Sequence, residues 1–237
     1  KKIAYANLTG TPAVFPLVNN AGAHNSVYRG ISLGTSVSAA QFAAIAAGTF
    51  EDMFVGDYWT IDSVVWRIAA FDYYYNVGDT NCTTHHVVVV PDTKLYSAQM
   101  NTTDITTNAY WGSEMYTTNL ASAKSTINSA FGSSHVLNHR ILLANTLASG
   151  QATPTNWAWY DSTVELMTEM QVYGSRAWGA PANNGFGVGT QDGVFPLFAL
   201  RHDMVHIRDN YWLQDVVSAA YFARVSVGGY AYRDGAS

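Results

Sequence analysis

The chain has a single cysteine, Cys82, among its 237 residues, which excludes an internal disulfide framework and any CxxC metal or redox motif. Charge is scarce as well. Asp, Glu, Lys and Arg make up 12% of the residues, about half the usual share, so the surface must be polar mainly through uncharged groups. Twelve scattered Lys and Arg against seventeen Asp and Glu leave a net charge of -5. A phosphate backbone needs a dense basic field, and nucleic acid is therefore not expected as a partner. No apolar run approaches the length of a membrane span, so no membrane insertion is expected. Catalytic signatures are missing too: there is no GxSxG, no Walker loop and no GxGxxG opening a helix after a strand.

What is present is an apolar interior and a polar, uncharged exterior. At 48% hydrophobic residues the chain can bury a sizeable core. Residues 1 to 34 are turn-rich without a sustained period and read as an extended amino-terminal arm able to dock on a neighbour. Residues 35 to 237 read as one domain. Its first helix is well marked, with Ser38 as N-cap, Gln41 as capping-box partner, Val37 and Phe42 as a staple and Gly48 as the stop. Its Ala-rich body predicts close packing on something flat.

Strand chemistry follows, with Trp59, Ile61, Val64, Trp66, Ile68 and Phe71 around an Asp62-Ser63 turn, and "THHVVVVPDT" as a buried strand ended by Pro91. The spacing of Tyr116, Leu120, Ala123, Ile127 and Ala130 predicts a second helix from about Ser113 to Phe131, stopped by Gly132. A third is expected from "DSTVELMTEMQVYG", with Ser162 and Glu165 as its capping box and Gly174 as its end. Residues 174 to 194 read as a long loop, and "VFPLFAL" onward reads as strands. Two or three helices amid mixed and antiparallel strands, without a repeating βαβ pattern, make the fold class α+β.

Several constellations invite a chemical reading. His202 and His206 in "HDMVH" stand at zinc-ligand spacing, but Asp203 is a methylene shorter than the glutamate of HExxH proteases and no third ligand is signalled. A metal-dependent hydrolase built on this pair ranks last among the readings. His85 and His86 lie near Cys82, yet neighbours on a strand point to opposite faces, so at most one is expected to serve any given site. Asp161, Glu165 and Glu169 at four-residue steps read as the solvated stripe of a helix rather than a glycosidase pair. No catalytic residue, metal or cofactor is expected.

The carboxy-terminal stretch says more. Arg176, Arg201, Arg208, Arg224 and Arg233 appear there without any Lys, accompanied by Tyr211, Trp212, Tyr221, Tyr230 and Tyr232. Rigid aromatics and planar guanidinium groups are what binding hot spots favour; Trp212 reads as core, whereas Tyr221, Tyr230 and Tyr232 read as a binding surface. "ARVSVGGYAYRD" predicts a hairpin turning at Gly228-Gly229. A two-residue turn would set Arg224 opposite Arg233, so either a longer loop or an anionic partner is expected.

"GTFEDMFVGDYWTIDSVVWRIAAFDYYYNVGDT", "THHVVVVPDT", "INSAFGSSHVLNHR", "WYDSTVELM" and "YWLQDVVSAAYFARVSVGGYAYRDGAS" together resemble a group of bacteriophage structural proteins from gut bacteria. Their carboxy-terminal part is similar to the C-type-lectin-like variable proteins of diversity-generating retroelements, and the resemblance covers roughly residues 30 to 237. It implies a C-type-lectin-like domain whose constant scaffold presents adjustable side chains near 215 to 234. Carried onto this sequence, the ligand-binding candidates are Asp215, Tyr221, Arg224, Ser226, Tyr230, Tyr232, Arg233 and Asp234. The Pro-centred calcium motifs of true lectins are absent, so no calcium site is expected. The implied role is a virion surface protein that binds a host-cell receptor, protein or glycan, as a homo-oligomer alongside other virion proteins. The alternative is a capsid decoration or tail component whose lectin-like domain joins neighbouring subunits.

Overall fold

The computed structural model of the chain describes residues 19–147, 154–179 and 193–237, and the architecture they form is α+β. Residues 1 to 18 of the expected arm and most of the 174–194 loop lie outside the described residues. A four-stranded sheet in the order β1 (Ser32–Gly34), β2 (Tyr58–Ile61), β3 (Val64–Phe71), β4 (Val87–Pro91) is antiparallel except for the β1–β2 pair. β5 (His139–Leu147) and β6 (Pro154–Ser162) form a long antiparallel hairpin. β7 (Tyr211–Val216), β8 (Tyr221–Val225) and β9 (Ala231–Gly235) form an antiparallel three-stranded sheet with β9 at its edge. The helices are α1 (Ala21–Asn25), α2 (Ala39–Ala46), α3 (Leu120–Phe131), α4 (Glu169–Tyr173) and α5 (Pro196–Leu200).

Several elements form for the local reasons their residues supply. Ser38 and Gln41 close both bonds of the capping box at the start of α2, and Gly48 takes the left-handed conformation after its end. Asp62 and Ser63 both adopt positive φ, the geometry of the tight turn that joins β2 to β3. α3 is led in by one π-helical turn, Met115–Asn119, and Gly132 ends it. No residue of α2 is fully buried, and it packs on the first apolar cluster through Ala44 and Ile45 while Ala39, Ala40, Ala43 and Ala46 stay exposed. β4 is half-buried along its length rather than buried, because it lies at the edge of its sheet.

Two further expectations are corrected. Ser162 does not cap a helix, because it pairs with His139 as the last residue of β6. The helix begins seven residues later, where Thr168 and Gln171 form the capping box of α4, with Gly174 in the left-handed region at its end. Asp161 is exposed on β6, whereas the Glu165 side chain is only 10% exposed and Glu169 is buried, so the three carboxylates share no solvated stripe. "VFPLFAL" is not a strand either. Pro196 occupies the first position of α5, where its fixed φ suits a helix and its missing N–H costs nothing.

Within the expected arm, residues 19–34 carry α1 and β1 and pack into the first sheet. Asp57, wholly buried, holds them there. Its carboxylate accepts from Arg29 Nη2 at 2.7 Å, from the Ile31 N–H at 3.0 Å and from the Phe54 N–H at 2.8 Å. Arg29 also reaches Asp52 and lies over the Phe54 ring.

Sheet β7–β8–β9 stands between two apolar clusters. Leu213, Ala223 and Val225 belong to the first, with Phe50, Trp59, Trp66 and Phe71. Val216 and Phe222 belong to the second, with Met100, Tyr110, Leu120 and Leu143. β8 thus sends alternate side chains into different interiors, as the two-residue period of a strand requires. After β9 the chain is tied down through its backbone, since Ala236 accepts from Asn101 N and donates to the Ala220 carbonyl, and Ser237 N donates to the Asp104 carboxylate. No helix among the described residues is long and apolar enough to cross a membrane.

Replacing Asp57 by Asn keeps its volume but turns an NH2 donor toward N–H groups that in the parent face an acceptor. We expect Asp57→Asn to lower unfolding free energy by about 3 kcal/mol in urea titration, the scale for breaking a buried ion pair. A loss below about 0.5 kcal/mol, the scale of an unremarkable surface substitution, would remove Asp57 as the anchor of residues 19–34.

Candidate functional site

The hairpin that carries most of the candidate residues is set by its loop. β8 and β9 pair Val225 with Ala231 and Arg224 with Tyr232, so the turn is Val227-Gly228-Gly229 between Ser226 and Tyr230. Gly229 donates to the Ser226 carbonyl at 2.8 Å and sits at φ +83°, which a side chain would strain. The loop is one residue longer than a Gly-Gly turn. That single residue moves Arg233 from opposite Arg224 to opposite Ala223 and removes the like-charge clash.

Directly opposed residues share a face of the sheet, and this register divides the candidates. Tyr221 and Arg233 lie on the face that also carries Ala223 and Val225. Arg224, Tyr232 and Asp234 lie on the other. There the Arg224 guanidinium is 5.0 Å from the centre of the Tyr232 ring, and its Nε is 3.0 Å from Asp234 Oδ2, an ion pair by distance without hydrogen-bond alignment. Tyr230 is 73% exposed beside the loop, Tyr232 50% and Tyr221 42%. Ser226 is used internally, its Oγ accepting the Tyr230 N–H at 3.1 Å.

A residue that sequence reading did not select completes the first face. Trp178, 39% exposed, donates from its ring nitrogen to the Ala231 carbonyl at 3.0 Å. Arg233 lies 4.8 Å from the Trp178 ring centre and 5.5 Å from that of Tyr221. Trp178 is held there by Glu169 at the start of α4. The wholly buried Glu169 carboxylate accepts from the N–H groups of Ala177 at 3.1 Å, Trp178 at 3.1 Å and Gly179 at 2.7 Å. A methyl group on Gly179 would sit 2.8 Å from Asp215 Cβ, so this close wrap needs glycine. From the other end of α4, Tyr173 donates to the Gly229 carbonyl at 3.0 Å and steadies the hairpin loop.

Asp215, also among the candidates, does not join the exposed face. Its side chain, only 10% exposed, is tucked against α4, where Oδ2 accepts the Glu169 N–H at 2.6 Å and Oδ1 lies 3.8 Å from Arg176. Burial pushes its carboxyl up to about 7; the Glu169 charge adds to the rise, while the hydrogen bond from Glu169 and the charge of Arg176 oppose it.

Other polar clusters are internal. Glu165 accepts from Tyr74 at 2.8 Å and lies 3.5 Å from His139, which stacks on Tyr74. Burial alone would raise the Glu165 pKa, but His139, followed by Ser162 and Tyr74, outweighs it and holds the carboxyl below its ordinary value. These residues border a cleft of about 1340 Å³ whose walls include Val88, Val90, Ile127 and Phe131. His85 and His86 precede β4 and send their rings to different hydrogen-bond partners: the His85 ring binds Asp72 at 2.7 Å, whereas the His86 ring bonds to the Thr84 carbonyl and accepts the Tyr74 N–H, with only the His86 backbone N–H bonded to Asp72. His202 starts a single 3-10 turn, His202–Val205, with His206 just beyond it, and Asp203 pairs with Arg201. Among the described residues no group of three His, Cys, Asp or Glu is placed to hold a metal ion. Trp212 packs against the second cluster and donates to the Ala98 carbonyl.

No family model, no curated protein and no solved structure matches the chain.

Because Asp215 has a pKa of about 7 folded against an ordinary 3.8, the folded chain keeps a proton that the unfolded chain has released. Its contribution to stability is full below the ordinary value and is lost as pH rises through about 7. Asp215→Asn still accepts the Glu169 N–H but carries no charge. Its unfolding free energy should gain on the parent's by on the order of 4 kcal/mol between about pH 4 and pH 8. A gap between the two proteins that stays constant across that range would contradict this assignment.

Proposed function

We propose that this chain is a bacteriophage virion surface protein that binds a host-cell receptor through the exposed side chains of its β8–β9 hairpin and the adjoining Trp178. In this reading the domain is C-type-lectin-like, acts as a homo-oligomer beside other virion proteins, and binds rather than catalyses. The observation that carries it is the concentration of Tyr221, Tyr230, Tyr232, Arg233 and Trp178 on one hairpin and its flank, all exposed. Large aromatic side chains left in water lose apolar burial unless a partner covers them, and aromatic and guanidinium groups supply most hot-spot energy. The backbone beneath is held by bonds that do not involve those exposed side chains, apart from the Trp178 ring nitrogen. That arrangement suits a constant scaffold with adjustable groups, as the resemblance implies. Individually weak contacts would gain through many copies on one particle.

A joining role in a capsid or tail draws on the same exposed groups, with β9, at the edge of its sheet among the described residues, able to pair with another subunit. Cell binding separates the two. A chain with Tyr221, Tyr230, Tyr232 and Arg233 all replaced by Ala, and with an unchanged far-ultraviolet spectrum, is compared with the parent on intact host cells. Receptor binding predicts a loss of at least about tenfold in the bound fraction. Equal binding by both proteins, or no binding by a multimeric parent, would move the joining role ahead.

A further inference from the structure

Arg233 differs from most of the chain's arginines in its surroundings. Arg29, Arg67, Arg140, Arg176, Arg201 and Arg224 each lie beside an aspartate. Arg233 is exposed and has no carboxylate within ion-pairing distance among the described residues. It is fixed instead by two aromatic rings, Trp178 at 4.8 Å and Tyr221 at 5.5 Å. Cation–π contacts orient a guanidinium without using its N–H groups, which stay free to donate. The Trp178 ring is anchored in turn through Ala231 and the buried Glu169, so the stack is positioned before any ligand arrives.

We infer that the Trp178–Arg233–Tyr221 stack is a subsite for an acidic sugar, whose carboxylate takes the planar fork of Arg233 while its ring C–H face lies against an aromatic. The inference rests on the receptor-face reading above and names the ligand class for it. A carboxylate matches the paired N–H groups of one guanidinium, whereas phosphate polymers draw on several cations at once. Arg233 offers a single charge, and the next residue on the strand is Asp234. The chain as a whole carries a net charge of -5, so general attraction does not draw anions to it. Selection must come from this local geometry. Both aromatic rings are partly exposed beside the charge, which is the pairing an acidic pyranose presents over the width of one ring. A lone exposed ion pair contributes little, so the contact is weak per copy and depends on multivalent presentation.

The test uses the full chain displayed on beads and polymer-borne glycans: sialyl-lactose and oligogalacturonate, with lactose and methyl-esterified oligogalacturonate as their neutral counterparts. Capture of at least one acidic polymer, abolished in its neutral counterpart, is expected. Arg233→Gln should reduce that capture by at least about tenfold, with Arg233→Lys in between because it keeps the charge and loses the fork. Esterification requires no change to the protein, so a folding defect in a variant cannot mimic its effect. Capture that survives esterification, or that Arg233→Gln leaves unchanged, overturns the inference. So does the absence of acidic-glycan capture in a chain that still binds cells through the face, with cell binding lost after protease treatment; that outcome assigns a protein receptor and leaves the receptor-face reading standing. If neither cells nor glycans are bound, both readings fall together.

Discussion

Glu169 has no access to water, and three consecutive backbone N–H groups take the place of its hydration. A carboxylate stripped of solvent is costly unless its oxygens are satisfied, so the chain from Ala177 to Gly179 must wrap it closely. That wrap puts Trp178 against the edge strand β9, and Trp178 in turn meets Arg233. The same short helix reaches the hairpin loop from its far end through Tyr173. One buried charge therefore sets the position of the aromatic–cationic face, although none of its own atoms is exposed there.

Two buried carboxylates, Asp57 and Glu169, are satisfied differently. Asp57 is satisfied by a guanidinium together with backbone donors and ties residues 19–34 to the first sheet. Glu169 relies on backbone donors and has a second carboxylate, Asp215, bonded to its own N–H. The first arrangement pairs opposite charges. The second places like charges side by side and is balanced by Asp215 keeping its proton toward neutral pH. β8 sends alternate side chains into two apolar clusters, so the hairpin is clamped from both faces, with β9 at the edge of the sheet among the described residues.

Features written in neighbouring residues were legible. The capping box of α2, the Asp62-Ser63 turn, and the Gly132 and Gly174 stops all act within a few residues of themselves. The start of α4 was misread because the sequence offers two capping patterns, Ser162 with Glu165 and Thr168 with Gln171. Strand pairing with His139 claims Ser162, and Tyr74 and His139 claim Glu165, both from far along the chain. No local pattern carries that information. The exposure of Tyr221, Tyr230, Tyr232 and Arg233 followed from composition, whereas the burial of Asp215 and the role of Trp178 depend on long-range bonds to Glu169 and Ala231. Trp178 carries one usable signal in retrospect: it follows a helix stop in a polar stretch, where a large aromatic has no helix or strand of its own to occupy.

The main-chain ties at either end of the hairpin resemble the abutments of a bridge. Tyr173 and Asn210 grip the loop, while Ala220, Asn101 and Asp104 grip the far end of β9. With both ends fixed by backbone atoms, the span does not need its outward side chains to keep its shape. Substitutions among them then cost the folded state little. That tolerance comes from where the hydrogen bonds fall: on the hairpin's own main chain and not on its outward rings.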